Sequence, residues 1–181
     1  SLDADSVLDR EAFLKVMQPI LDSNEDIIAS GGTVGIANGC SIDSGEMVRI
    51  GLSRNPLVVM QVIEYVRAFL IGRTAFSQHN MLLIVSGAFG VFSKYWVVQA
   101  GGYRKNTVGE DMELIIRLHR LNKESKQNKK IVYVPNSVCW TEVPESFKYL
   151  RRQRNRWHRG LFESLWAHRS MIGNPKYGFV G

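Results

Sequence analysis

Cysteine is scarce: Cys40 and Cys139 stand far apart in the chain. They exclude a disulfide framework, a C-x-x-C redox pair and a four-cysteine zinc site. They read as two reduced, buried thiols of a reducing compartment. No N-x-[ST] acceptor is present. Long apolar runs are missing too. Pro56 to Ile71 carries Glu64 and Arg67, and Met81 to Val98 is broken by Ser86, Ser93 and Lys94. A spanning helix wants about 20 mostly apolar residues, so neither stretch qualifies. No basic run followed by an apolar run opens the chain, so no signal peptide is read there. There is no internal repeat and no linker that demands a second domain.

What remains is ordinary globular material. Hydrophobic residues make 45% and charged residues 22% of 181, which argues against a disordered tail, a collagen-like repeat or a coiled coil. The length suits one domain with its own core. Lys plus Arg exceed Asp plus Glu by 23 to 17, a net charge of +6 that suits phosphates or membrane headgroups.

Strand and helix signals alternate, which predicts a layered α/β sheet. Asp9 to Leu21 reads as a helix with a Leu14, Met17, Leu21 stripe. Ile27 to Ile36 reads as a strand, and Asn38 to Gly45 as turns. Pro56 opens a helix to about Phe69, with Val59, Ile63 and Val66 on one face. Met81 to Phe92 is the strongest buried-strand signal, with Gly87 and Gly90 marking a close approach. Asp111 to Leu121 is helical, and Asn122 to Lys130 a basic loop. Ile131 to Val134 reads as a strand stopped by Pro135, with Ser137 to Val143 as another. A long helix runs from Pro144 to about His168.

Three short motifs carry chemistry. Asp3 and Asp5 are two apart, so an extended backbone puts both carboxylates on one face. A hard divalent cation, Mg²⁺ or Mn²⁺, relieves their repulsion and takes phosphate oxygens as well. The plain alternative is an acidic turn before a capped helix. Gly109-Glu110-Asp111 precedes a helix. Asp111 is either an N-cap or a carboxylate that takes a proton, and a helix N-terminus is expected to lower its pKa. Gln153, Arg156 and Trp157 are i, i+3 and i+4 on one helical face, which Tyr149 and Gly160 extend. That face offers an amide, a guanidinium for phosphate oxygens and an aromatic plane for a sugar. The alternatives are a solvated basic helix with Trp157 in the core, or a nucleic-acid footprint.

Taken in order, Asp3-Ala4-Asp5, Gly109-Glu110-Asp111 and Gln153-Arg154-Asn155-Arg156-Trp157 resemble the family 2 processive glycosyltransferases. These include the cellulose, chitin, hyaluronan and poly-N-acetylglucosamine synthases. Ser86-Gly87-Ala88-Phe89-Gly90 is also similar to the family's strand next to the acceptor site. The resemblance covers nearly the whole chain. It implies a GT-A type α/β fold, a mixed sheet flanked by helices, with residues 1–181 as the C-terminal portion of the catalytic domain. The N-terminal nucleotide-binding half would then be absent.

By the same resemblance, Asp3 and Asp5 would bind Mg²⁺ or Mn²⁺ and Asp111 would be the general base. Gln153, Arg154, Arg156, Trp157, Glu110, Ser86 and Gly87 would line the acceptor and diphosphate region. The implied reaction is inverting transfer from a nucleotide-sugar donor, UDP-N-acetylglucosamine or UDP-glucose, to a saccharide or lipid acceptor. The implied place is the cytoplasmic face of the cell membrane. The parent protein would be membrane-embedded through segments outside this chain, which would itself be soluble. No nucleic-acid partner is expected. The truncated sheet is expected to expose an edge that favours self-association, and the fragment alone to be inactive. Many polymer synthases carry threonine where this chain has Gly109. A non-catalytic phosphate-binding or nucleic-acid-binding module and an inert fragment are the competing readings.

Overall fold

The computed structural model describes residues 1–24 and 26–180. Its strands are β1 (Val7–Leu8), β2 (Ile27–Ile36), β3 (Ser41–Asp43), β4 (Glu46–Arg49), β5 (Gly90–Phe92) and β6 (Lys130–Thr141). Its helices are α1 (Ala12–Asp22), α2 (Pro56–Val66), α3 (Thr74–Gln78), α4 (Lys94–Gln99), α5 (Glu110–Glu124) and α6 (Phe147–Ala167). A π-helical segment, Arg67–Arg73, joins α2 to α3 without a break. A 3₁₀ segment, Pro175–Val180, follows α6.

The main sheet runs β1-β6-β2-β5. β2 and β6 are parallel, while β1 on β6 and β5 on β2 are antiparallel. The sheet is therefore mixed and flanked by helices, as expected. Its edge strands hold only two and three residues, which keeps the unpaired ladder short. β3 and β4 form a separate hairpin. β2 is buried along most of its length, as a central strand covered on both faces should be.

Helices meet the sheet in distinct clusters. Ala12 and Val16 of α1 pack with Phe89 and Cys139. The larger cluster joins Phe69, Leu114, Ile115 and Leu118 to Ile28, Ala29 and Ile131. α5 carries the expected apolar run and buries it almost all round.

Several expectations need correction. The Leu14–Leu21 stripe of α1 is not the buried one, for both residues are about 70% exposed (70% and 68%). The helix approaches the sheet through its small residues, Ala12 and Val16, one turn apart. Likewise α2 buries Val58, while Ile63 and Val66 face out. Val62, Tyr65 and Phe69 continue the packed face.

Met81 to Phe92 is not one strand. Gly90–Phe92 forms the strand, Phe89 makes an isolated bridge to Leu2, and Phe89 N–H turns back to the Ser86 carbonyl at 3.1 Å. Leu82 and Val85 enter the core without a ladder, and the Leu82 carbonyl is met by His119 Nε2 at 2.9 Å. A short apolar run is ambiguous by periodicity alone, and side-chain partners here replace strand partners.

The two strands expected around Pro135 are one. β6 skips from Val134 to Val138 against consecutive Gly32 and Thr33. The three extra residues bulge out and carry the proline, which has no ladder donor to lose there. Finally, α5 runs on to Glu124, shortening the basic loop after it.

Candidate active site

Two of the three motifs, far apart in sequence, meet at the loop Ser86–Gly90, and the third is tied to the second through α6. The first residues of the chain lie antiparallel to that loop. Asp3 N–H donates to the Ala88 carbonyl at 3.2 Å, and Ser1 Oγ donates to the Gly87 carbonyl at 2.7 Å. On the loop's other side Gly87 N–H donates to Asp111 Oδ2 at 3.0 Å. Gly87 thus has a backbone reason to be small: a Cβ there would stand 3.3 Å from that carboxylate oxygen. Ser86 Oγ accepts from Ala88 N–H at 3.3 Å and shapes the turn.

Asp111 sits in the first turn of α5, after the N-cap Gly109. Its Oδ1 accepts from Met112 N–H at 2.8 Å. Both its hydrogen bonds come from backbone amides. Burial raises its pKa, against the lowering by the Met112 and Gly87 amides, and exposed Glu110 raises it further. This corrects the expectation from the helix N-terminus. The amides do favour the anion, but desolvation outweighs them. The result is a carboxylate better suited to accept a proton.

Asp111 is held in place through α6. Gly109 and Gly160 touch backbone to backbone. A Cβ on Gly109 would lie 2.9 Å from Gly160 Cα, and one on Gly160 2.8 Å from Gly109 Cα. Glu163, one turn on, accepts from Val108 N–H at 3.0 Å and Thr107 Oγ1 at 3.1 Å. Ser164 Oγ donates to the Gly109 carbonyl at 3.5 Å. The loop before Asp111 is therefore pinned to one face of α6. Arg156 and Trp157 precede Gly160 by four and three residues, so they share that side of the helix.

The α6 side chains take different roles. Gln153 is half-buried, and its Oε1 has no partner among the described residues. Arg156 is exposed, and Trp157 is 39% exposed rather than in the core. Arg154 forks onto Glu64 of α2, at 2.6 and 2.5 Å, and lies over the Trp157 ring at 4.6 Å. Arg154 is thus engaged in an interhelical clamp that also backs the indole.

Asp3 and Asp5 are exposed, and no hydrogen bond engages either carboxylate among the described residues. Both contribute to raising the Cys139 thiol, with Asp9, after the larger effect of burial. Asp9 is already occupied by Trp140 Nε1 at 2.7 Å. Among the described residues no group of three or more His, Cys, Asp or Glu gathers around a point. Ser6 N–H donates to the Asp3 carbonyl at 3.2 Å across a turn at Ala4–Asp5, which replaces the extended backbone expected to align the two carboxylates. Each is free to serve Mg²⁺ or Mn²⁺, which take one or two protein carboxylates with water and substrate phosphates.

Sequence reasoning missed several residues. Glu64 showed only as a charge that breaks an apolar run, yet it anchors α6. Glu163 gives no signal beyond its helical spacing from Trp157. Arg73 and Tyr133 were not singled out, and each feels the other's charge.

Comparison with known proteins shows the family and the fold. The family model described as Glycosyl transferase family group 2 matches residues 1–179, and the chain belongs to that family. The poly-beta-1,6-N-acetyl-D-glucosamine synthase of Staphylococcus epidermidis is 31% identical over 166 residues, 91% of this chain and 35% of that protein. The synthase of the same name from Staphylococcus aureus matches at the same identity and coverage. The chain thus spans 35% of the length of these relatives. Among solved structures, a mannosyltransferase from Pyrobaculum calidifontis, in complex with GDP-Man and Mn2+, superposes with a TM-score of 0.58 at 15% identity. That match covers 97% of this chain and 43% of the other, and the fold is the GT-A type. No helix among the described residues is long and apolar enough to cross a membrane.

Proposed function

We propose that the protein containing this chain transfers a sugar, with inversion, from a nucleotide-diphosphate donor to a growing polysaccharide or glycolipid. The observation that carries this is Asp111: a half-buried carboxylate with a raised pKa, held by two backbone amides beside the Ser86–Gly90 loop. Its relatives' names favour N-acetylglucosamine as the unit, with UDP as the nucleotide by family resemblance and UDP-glucose second. Parent-protein membrane helices outside this chain, at the cytoplasmic face, belong to the same proposal.

In this reading Asp111 takes the proton of an acceptor hydroxyl. The freed oxygen bonds to the anomeric carbon of the donor sugar from the face opposite the diphosphate. The carbon–oxygen bond to the diphosphate breaks, and its electron pair leaves with the phosphate. Arg156 meets the developing charge as a phosphate-binding guanidinium. Gln153 offers its amide to the ligand, and Trp157 lies under the acceptor sugar, backed by Arg154. Glu110, Ser86 and Gly87 border the acceptor. Asp3 and Asp5 would hold Mg²⁺ or Mn²⁺, which supplies charge neutralisation at the diphosphate.

The test is calorimetric titration with UDP and Mn²⁺, repeated on Asp5→Ala. Metal-dependent UDP binding that disappears in the variant is expected. Equal UDP affinity with and without metal, or in the variant, overturns the metal assignment. A protein that binds no UDP while binding RNA with steep salt dependence replaces the reading with a nucleic-acid module.

A further inference from the structure

Two indoles of the molecule are held in different ways. Trp140 donates its own Nε1–H to Asp9 at 2.7 Å, and its ring lies so close on Gly35 that a Cβ there would stand 2.7 Å from it. Trp157 shows neither restraint. Its N–H makes no hydrogen bond among the described residues, and the residue is 39% exposed. Its ring is met instead by the Arg154 guanidinium, 4.6 Å from the centroid.

Arg154 is itself fixed from elsewhere. Three residues before Trp157 on the same helix, its side chain can reach the ring, but a long stem samples many rotamers. Here Arg154 Nη1 and Nη2 donate to Glu64 Oε1 and Oε2 at 2.6 and 2.5 Å. Two bonds between a planar fork and a planar carboxylate set the orientation of the guanidinium as well as its place. Glu64 lies on α2, 90 residues earlier in the chain, so the cation over a ring of α6 is held from another helix. The side chains of the pair are 23% and 41% exposed, too open for the clamp to add much to folding. Its geometry is better explained by what it holds still. A sugar stacks on an indole only where the ring plane meets it. A loose ring must be ordered when the sugar binds, and a ring ordered beforehand avoids that loss.

Resting on the glycosyl-transfer reading, we propose that Glu64 is a positioning residue: through Arg154 it holds the Trp157 ring in the plane on which the acceptor sugar stacks.

The experiment uses the intact protein and two probes: UDP with Mn²⁺ by calorimetry, and a β-1,6-linked N-acetylglucosamine tetrasaccharide by ligand-observed NMR. Glu64→Gln is expected to weaken the tetrasaccharide about fivefold, the size of a lost ring–cation contact. UDP affinity should change by less than about twofold, as for a site with no shared partner. The same substitution is then made in a Trp157→Ala background. There it should weaken the tetrasaccharide no further, because Glu64 acts through the ring. Additive losses overturn the proposal, since a merely structural Glu64 would act in either background. Unaltered tetrasaccharide affinity in Glu64→Gln overturns it too, and so does a parallel loss of UDP. Should Glu64→Gln fail to fold, Arg154→Lys reads the same contrast, since it keeps the charge and loses the fork. Wild-type protein that binds UDP but no tetrasaccharide overturns the proposal as well. Wild-type protein that binds neither probe overturns the glycosyl-transfer reading itself, so the two failures are distinct.

Discussion

Asp111 and Glu113 stand two residues apart on α5, and their environments are opposites. At roughly 100° per residue they leave the helix on different sides. Glu113 is 1% exposed and met by two guanidiniums and an imidazole. Arg117 Nε reaches both its oxygens at 2.8 Å, Arg104 lies at 3.2 Å and His168 Nε2 at 3.1 Å. Arg117 in turn donates to the carbonyls of Ala100 and Gly102. Burial lowers the His168 pKa while Glu113 raises it. This carboxylate is spent on joining α5, the end of α6 and the loop after α4. Among the described residues Asp111 has no cation in hydrogen-bond contact, only two amide donors, and burial raises its pKa. One helix thus carries a carboxylate spent on ion pairs and another met by amide donors. Burial alone does not separate them; the partners do.

The comparison can be broken by substitution. Asp111→Asn should lower turnover by about 10²–10⁴-fold, the range for a lost general base, with the denaturation midpoint nearly unchanged. Near-normal turnover would remove Asp111 from the chemistry. Glu113→Ala should instead unfold the corner. It leaves Arg117 buried and unpaired, which costs about 3–5 kcal/mol in urea denaturation. A loss under about 1 kcal/mol would mean that the cations find water.

Gly109→Ala tests how the two carboxylates are seated. Its Cβ meets the Gly160 backbone, so α5 and α6 must part. A loss of about 1–3 kcal/mol is expected, as for other overpacked sites, along with reduced turnover. Stability at the wild-type level would show that the helices slide without strain.

The Arg154–Glu64 clamp should matter less. Its side chains are 23% and 41% exposed, so a double-mutant cycle should give about 0.2–1 kcal/mol. A coupling of several kcal/mol would mark it as a desolvated pair.

The smallest effect is linkage at Asp111. Its folded pKa lies above the ordinary 3.8. The folded state therefore holds the proton more tightly, and stability falls as pH rises from 3.8 through the folded value, then levels off. Asp111→Asn should abolish that slope. A wild-type advantage that grows with pH in this window would reverse the sign.

Part of this could be read from residue order and part could not. Ile27 to Ile36 was readable as a strand because Ile, Val and small residues flanked by turn signals favour one. The starts of α2 and α6 followed Pro56 and Pro144. Asp3, Asp5, Asp111, Gln153 and Trp157 stood out because paired carboxylates and a mixed basic–aromatic face are unusual at those spacings. The burial of α1 misled because Leu14 and Leu21 are more apolar than Ala12, yet the sheet admits only small residues at that distance. The run at Met81 misled because hydrophobicity reports burial, not which backbone groups are paired.

By itself, the sequence determined the alternation of elements, the motifs and the family, since these depend on residues near one another in the chain and on their order. Only the tertiary structure decided which acidic residue is free. Gly87 and Gly160 meet Asp111 or the residues before it from distant segments. Their effect is set by desolvation and by backbone contact, which act through space and leave no mark in local sequence.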